Sequence, residues 1–111
     1  MRGMSGPSMP GLGIIVADVD PVRFRTALTL AAAQAALGGR MRILLDSGAV
    51  ALAAAPHTLL ESCFDLGVEV MLCQTGLAEA GLEASALDPR FSYGGMVGWL
   101  ADLGADRLVI A

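Results

Sequence analysis

The sequence predicts one α/β domain, a sandwich built on a mainly parallel sheet of about five strands. Three observations support this fold class. Short apolar runs rich in β-branched residues alternate with helix-forming segments, as in folds whose parallel strands are joined by helices. The connections between these segments are short. The length of 111 residues suits a single domain with its own core.

The first half of the chain predicts two strands around one long helix. Gly13–Ala17 (GIIVA) is a continuous apolar run, as expected of a strand buried on both faces. Asp20 is the expected N-cap of a helix from Pro21 to about Leu37, which a Gly-Gly pair ends. Met41–Leu45 (MRILL) is the second strand.

The second half predicts three more strands and several shorter helices. Thr58 and Glu61 have the spacing of a capping box, at the start of a helix that follows a short helix or turn over 49–55. The remaining elements are, in order, a strand Val68–Leu72 ending at Cys73, a polar loop Gln74–Gly76, a short helix near 82–87, a turn at Asp88-Pro89, a short strand Phe91–Tyr93, a helix Gly95–Leu103 and a last strand Arg107–Ile110.

The composition is more apolar than that of an average soluble domain. Hydrophobic residues make up 55% and charged residues 16%, and the mean hydropathy is +0.65. We expect other subunits to cover part of this apolar surface, because so small a domain has too little interior for it. Two long uncharged runs, 26–39 and 47–60, are shorter than the roughly 18 residues that indicate a membrane span.

The net charge of −4 and the N-terminal segment indicate which partners and which cell compartment are expected. An acidic chain with scattered basic residues is a poor partner for nucleic acid or an anionic membrane surface. Residues 1–12 are rich in Gly, Pro, Ser and Met without a continuous apolar stretch, which predicts a flexible lead-in to a domain at 13–111 and no signal peptide. A cytoplasmic protein with two reduced thiols is expected.

Three chemically useful side chains lie at the ends of predicted strands: Asp18, Asp46 and Cys73. Ligands and reactive groups gather at the carboxyl edge of a parallel sheet, so these residues should share one edge. Cys73 is the candidate nucleophile, because backbone N–H groups and the start of a following helix favour a thiolate. The alternative is a small, buried, inert cysteine. For both aspartates, capping of the next helix is the favoured interpretation over orienting a ligand.

The other cysteine and the single histidine have weaker claims. Cys63 is expected to pack in the core, because it shares a helical face with apolar residues. His57 follows Pro56 at a helix start, which favours a surface or first-turn role over that of a base for a thiolate. The apolar face that includes Cys63 consists of Leu59, Leu60 and Phe64.

No metal or cofactor motif is found in the sequence. One histidine and two cysteines match no zinc spacing. The Gly-Leu-Gly at 11–13 precedes a strand, whereas a dinucleotide fingerprint follows one, and a chain without lysine cannot form a P-loop. Gly94, Gly95 and Gly98 are expected to permit a tight turn and close helix packing, with Trp99 in the core or a subunit contact.

Two segments together resemble a known family. GVEVMLCQTGLAEAGL at 67–82, followed by FSYGGMVGWLADLGADRLVIA at 91–111, is similar to the DsrE/DsrF-like sulfur-relay proteins. The shared features are a strand ending in cysteine, a C-Q-T-G-L segment and a Gly-Gly-hydrophobic helix start before the last strand. The first half, 13–50, shares the pattern only, and the alanine-rich 47–58 is shorter than the often aromatic segment of many relatives.

The resemblance implies a three-layer α/β/α sandwich that assembles into homotrimers or homohexamers. It also implies a sulfur carrier or sulfurtransferase without a cofactor, in which Cys73 receives a persulfide sulfur from a donor protein and passes it to an acceptor thiol. The alternative is a non-catalytic oligomeric module, structural or binding a small ligand, with an inert Cys73. A peroxidase-like enzyme ranks third, because it needs a resolving cysteine or an outside reductant, and Cys63 is expected to face the core.

Overall fold

The computed structural model of the protein describes residues 9–111, so residues 1–8 of the expected lead-in lie outside the described range. Four α-helices and two 3₁₀ segments alternate with five strands. In chain order the elements are β1 (Leu12–Val16), α1 (Pro21–Ala36), β2 (Met41–Leu45), a 3₁₀ segment (Ser47–Ala54), α2 (Thr58–Asp65), β3 (Glu69–Cys73), α3 (Gln74–Glu79), a 3₁₀ turn (Ala84–Ala86), β4 (Ser92–Gly94), α4 (Met96–Leu103) and β5 (Arg107–Ile110).

The five strands form one sheet in the order β4-β3-β2-β1-β5. Every neighbouring pair is parallel. Helices α1, α2 and α3 pack on one face of the sheet and α4 packs on the other. The α/β fold and its three layers are thus confirmed, and the sheet is parallel throughout.

The main core lies between the sheet and the helices α1 and α2. Alternate residues of each strand point into it, among them Ile14, Ile43 and Leu72, which are fully buried. Leu28 of α1 meets them from the helix layer. Each such side chain contributes about 1.5–3 kcal/mol relative to an exposed position.

A smaller core joins α4 to the other face of the sheet. Trp99 and Leu103 of α4 pack on Ile15 and Leu44, so the expectation of a buried Trp99 is confirmed. Gly13 lies directly beneath them, because a Cβ at this position would come 2.8 Å from Trp99 Cη2 and would overlap Leu103. The helix can approach β1 this closely only because residue 13 lacks a side chain.

Three elements begin at the residues that the sequence predicts, namely α1, β2 and β5. Asp20 caps α1, accepting hydrogen bonds from Val22 N at 2.9 Å and Arg23 N at 3.3 Å. The strands β2 and β5 have the expected bounds. β1 begins and ends one residue earlier than predicted, and β3 and β4 one residue later, because ladder pairing with neighbouring strands sets these ends.

Two helix starts differ from the prediction. The expected capping box of Thr58 and Glu61 does not form: His57 is the N-cap of α2, and its Nδ1 accepts from Leu59 N at 3.2 Å. The expected loop at Gln74–Gly76 is instead the first turn of α3, which follows β3 without a gap. The helix expected near 82–87 is reduced to one 3₁₀ turn.

The segment just before β1 is tied to the body of the domain. Pro10 O accepts a hydrogen bond from Gln34 Nε2 at 2.6 Å, and Leu12 already belongs to β1 and is buried. Over residues 9–111, no helix combines the length and apolar character needed to cross a membrane.

Candidate functional site

The candidate site lies at the carboxyl edge of the sheet, where Cys73 ends β3. The register pairs Leu45 with Leu72, which places the following residues, Asp46 and Cys73, beside each other on strands about 4.8 Å apart. Asp18 lies beyond the end of β1, one strand further from Cys73. The expected common edge therefore brings Asp46 next to Cys73 and leaves Asp18 more remote.

Cys73 is both the last residue of β3 and the N-cap residue of α3. Its side chain is partly exposed, packs against the margin of the main core and makes no capping hydrogen bond. The thiol is therefore reachable from solvent, unlike a cysteine sealed within the core.

A glycine corner borders Cys73 on the side of β4. Gly94 pairs with Cys73 in the sheet and contributes no side chain. The next residue, Gly95, is the N-cap of α4, where an added Cβ would meet no atom within 4 Å. The first turn of α4 has neither a side-chain cap nor an acidic residue, so backbone N–H groups begin a helix close to the end of β3.

On its other side, the thiol is bordered by the turn after β2. Ser47 has φ of +48°, a conformation that non-glycine residues adopt rarely and at a cost on the order of 1 kcal/mol. Gly76 of α3 packs on this turn, since its Cβ would lie 3.0 Å from Ser47 O and 2.7 Å from Val50 Cγ2. The turn and the start of α3 are thus in backbone contact, which fixes the chain on both sides of Cys73.

Neither aspartate side chain makes the capping hydrogen bond that the sequence favours. Asp18 accepts from the adjacent Val19 N at 2.7 Å, while Asp20 caps α1. Asp46 occupies the N-cap position of the 3₁₀ segment without a capping hydrogen bond from its side chain. Its Oδ2 lies 3.5 Å from Ser47 Oγ. The capping interpretation is wrong for Asp18, whereas Asp46 stands at the predicted N-cap position and accepts there through its backbone carbonyl, from Ala49 N at 3.0 Å.

Cys63 is a core residue, as predicted. Its thiol is fully buried and donates a hydrogen bond from Sγ to Leu28 O at 3.5 Å. Burial raises the pKa of the Cys63 thiol to about 11, because the thiolate would lose its hydration. A protonated and inaccessible sulfur cannot resolve an oxidised Cys73, so a peroxidase-like enzyme would depend on an outside reductant.

His57 marks the start of α2 and does not border Cys73. Its Nδ1 is occupied by the capping bond, and its ring packs edge-on against Phe24, with centroids 5.4 Å apart. The imidazole lines a cleft of about 390 Å³ between the first 3₁₀ segment and α2, whose lining does not include Cys73. The expected role at a helix start is confirmed.

Arg90 organises the acidic side chains beside this cleft. Its Nη2 lies 2.7 Å from Glu61 Oε1 and 2.8 Å from Asp88 Oδ2, and the guanidinium stacks 4.4 Å from the centre of the Phe64 ring. Arg90 lowers the pKa of Asp88 to about 2 through these hydrogen bonds. No group of three metal-ligating side chains occurs within residues 9–111.

Comparison with known proteins yields structural matches only. No protein-family model matches the chain, and neither does the sequence of any curated protein. The ychN protein from E. coli matches with a TM-score of 0.74 and 20% identity over 93% of this chain and 100% of its own. MTH1491 from Methanobacterium thermoautotrophicum, titled a protein of unknown function, matches with a TM-score of 0.76 and 14% identity over 92% and 99%.

A third solved structure also matches over nearly the whole chain. BT1422 from Bacteroides thetaiotaomicron, a conserved protein of unknown function, matches with a TM-score of 0.69 and 17% identity over 90% of this chain and 94% of its own. At these identities the likeness concerns the fold, and it covers each chain almost completely. The protein therefore has the same fold as these three proteins.

Proposed function

We propose that the protein is a sulfur carrier of the DsrE/DsrF-like type, which holds a persulfide on Cys73 and passes its outer sulfur to a partner thiol. One observation carries the proposal. Of the two cysteines, Cys63 is sealed in the core, whereas Cys73 is partly exposed at the carboxyl edge of a parallel sheet, where reactive groups gather. The Cys-Gln-Thr-Gly-Leu segment at this position supports the family assignment.

The reaction is thiol exchange without net oxidation. The Cys73 thiolate attacks the terminal sulfur of a donor persulfide, so that a new S–S bond forms at Cys73 and the donor leaves as its thiolate. The terminal sulfur moves with its proton and Cys73 becomes Cys-S-SH. An acceptor thiolate then attacks this outer sulfur, and the Cys73 thiolate leaves.

The surroundings of Cys73 suit this exchange in two ways. The space beside Gly95 is open, whereas Gly94 packs against Met71, so we expect an approaching thiol to enter beside Gly95. The first turn of α4, which begins two residues after Gly94, has no side-chain cap, so its backbone N–H groups offer hydrogen-bond donors near the end of β3. We expect the open corner to be the direction from which donor and acceptor approach.

Mass spectrometry of the intact chain tests the proposal. The reduced protein is incubated with inorganic polysulfide, and its mass is compared with that of Cys73→Ser and of the matched variant Cys63→Ala. The wild type and Cys63→Ala should each gain the mass of a sulfur atom, and Cys73→Ser should gain none. A wild type that gains no sulfur, or one whose gain requires Cys63, contradicts the proposal.

A ligand-binding module with an inert Cys73 is the second candidate. The cleft beside α2 supports it, because its walls combine apolar residues with His57 and carboxylates and it lies apart from Cys73. The rate of Cys73 alkylation by iodoacetamide as a function of pH separates the two. A rate that rises with pH around the value of a free thiol, about 8.5, favours the inert cysteine.

A further inference from the structure

Asp46 lies beside Cys73 and on the same side of the sheet. The pairing of Leu45 with Leu72 brings the next residues, Asp46 and Cys73, into register. The backbone of Asp46 is still extended, and its N–H donates to Val16 O at 2.9 Å, so the strand geometry continues to this residue. Side chains in register on adjacent parallel strands point to the same side, and the strands lie about 4.8 Å apart. The Asp46 carboxylate is therefore a neighbour of the Cys73 thiol.

The carboxylate of Asp46 differs from the other partly buried aspartates in having no arginine beside it. The other three each form an ion pair, Asp20 with Arg23, Asp88 with Arg90 and Asp106 with Arg40. Asp46 takes part in none of the ion pairs found within residues 9–111. Its side chain approaches only the Ser47 hydroxyl, at 3.5 Å. A partly buried charge that its own chain leaves unpaired is stabilised when a partner supplies the opposite charge.

The segments around Cys73 carry no positive charge that could balance Asp46. Three segments border the thiol: the turn after β2 (46–50), helix α3 (74–79) and the start of α4 with the preceding glycines (94–97). They contain two carboxylates, Asp46 and Glu79, and no arginine, lysine or histidine. Within residues 9–111, the arginines lie on α1, before β4 and around the starts of β2 and β5. In a parallel sheet these strand starts lie at the edge opposite to Cys73, so a molecule that reaches the thiol meets negative charge.

We propose that Asp46 selects the exchange partners of Cys73 by their charge. The inference rests on the proposed function, because it concerns the thiols with which Cys73 exchanges sulfur. The partner that fits is a protein cysteine flanked by arginine or lysine, whose side chain supplies the positive charge that Asp46 lacks in its own chain. An anionic small thiol such as glutathione is repelled by the same carboxylate.

Asp46 acts in this proposal on the approaching molecule and takes no part in bond making. In each exchange a thiolate attacks a sulfur atom, a new S–S bond forms and the displaced sulfur leaves as a thiolate. Asp46 is thus a specificity-determining residue. A unit charge about 7 Å away in water changes the rate about threefold, so partners of opposite unit charge should differ by about sevenfold.

Disulfide exchange with charged reagents tests this selection without any transfer of sulfur. The reduced protein reacts with cystamine, which is cationic, or with dithiodipropionate, which is anionic. The Cys73 thiolate displaces one half of the reagent as a thiolate, and intact mass spectrometry follows the mixed disulfide. The ratio of the cationic to the anionic rate is compared between variants, because the intrinsic reactivities of the reagents and of the thiol cancel in this comparison. An ionic strength of about 10 mM keeps the screening length near 30 Å.

Asp46→Asn should lower this ratio by about sevenfold. Asparagine keeps the shape of the side chain, and the hydrogen bond from Ala49 N to the carbonyl of residue 46 does not depend on it. Asp102→Asn is the matched control, since it removes the same charge from an exposed residue near the C-terminal end of α4, away from Cys73. Its ratio should stay within about twofold of the wild type. An unchanged ratio in Asp46→Asn, or an equal loss in both variants, overturns the proposal.

Two cysteine peptides test the class of partner in the same assay. Their sequences are identical except that arginines flank the cysteine in one and glutamates in the other, and each is supplied as its disulfide. The wild type should favour the basic peptide by a larger factor than Asp46→Asn does, and equal factors overturn the basic partner. Failure of the sulfur carrier would be distinct, because the wild type would then take no sulfur from polysulfide while these charge ratios would persist.

Discussion

Raising the pH should destabilise the fold through the buried thiol of Cys63. Its pKa rises from 9.0, the value expected in the unfolded chain, to about 11 in the folded protein. Because the folded value is the higher one, the folded state binds more protons between these limits. The stabilisation is complete below pH 9.0 and is lost as the pH rises through about 11.

The size of the loss follows from the two pKa values. The whole difference corresponds to about 3 kcal/mol, of which about half is lost between about pH 8 and about pH 10. Burial is the cause, because the fully enclosed Sγ has only Leu28 O, an acceptor that favours the thiol over the thiolate.

Urea unfolding under reducing conditions measures this loss. The wild type and Cys63→Ala are unfolded at both pH values, and the drop in unfolding free energy is compared. The alanine variant starts less stable because of its cavity, but its drop should be smaller by about 1 kcal/mol. Equal drops would refute the assignment of an enclosed, protonated thiol at residue 63.

Two further predictions concern packing and ion pairs. Gly76→Ala should destabilise the protein by about 1–3 kcal/mol in urea unfolding, because its Cβ would lie 3.0 Å from Ser47 O. Gly98→Ala, where the added methyl group would lie in open space on α4, should stabilise the protein by about 0.5–1 kcal/mol. If both alanine variants changed the stability in the same direction, the close packing of Gly76 would be contradicted. Arg90→Gln removes the guanidinium that lowers the pKa of Asp88 from 3.8 to about 2. In the wild type, the interaction of Arg90 with ionised Asp88 stabilises the fold above pH 3.8, and this stabilisation is lost as the pH falls through about 2. Acid unfolding followed by circular dichroism should therefore depend less on pH over this range in Arg90→Gln, and parallel curves would count against the ion pair.

The elements that depend on local chemistry were predictable from the sequence. The apolar run Met41–Leu45 and the Asp20-Pro21 cap specify their elements through neighbours in the chain. The start of α3 was not predictable, because a Gln-Thr-Gly segment is typical of a loop. It becomes helical where Gly76 fits against the backbone of Ser47, a contact between residues far apart in sequence.

The position of Cys73 was predictable from the sequence, but the residues that border it were not. A cysteine at the end of a buried strand indicates the carboxyl edge of the sheet, which is where Cys73 lies. That Asp46 and Gly94 border it depends on the strand order, which brings β2 and β4 to either side of β3. The N-cap of α2 was predicted wrongly for a chemical reason. Hydroxyl side chains such as that of Thr58 are the more common N-caps, but here the imidazole of His57 accepts the capping hydrogen bond.

The glycine under α4 links the two halves of the molecule. Gly13 allows Trp99 and Leu103 to rest directly on β1, and the same helix begins next to the residue that pairs with Cys73. A methyl group at residue 13 would lift the whole helix, and the first residues of that helix would move with it. We therefore expect a substitution at Gly13, two strands away from Cys73, to change the access of other molecules to the Cys73 thiol without altering any residue that borders it.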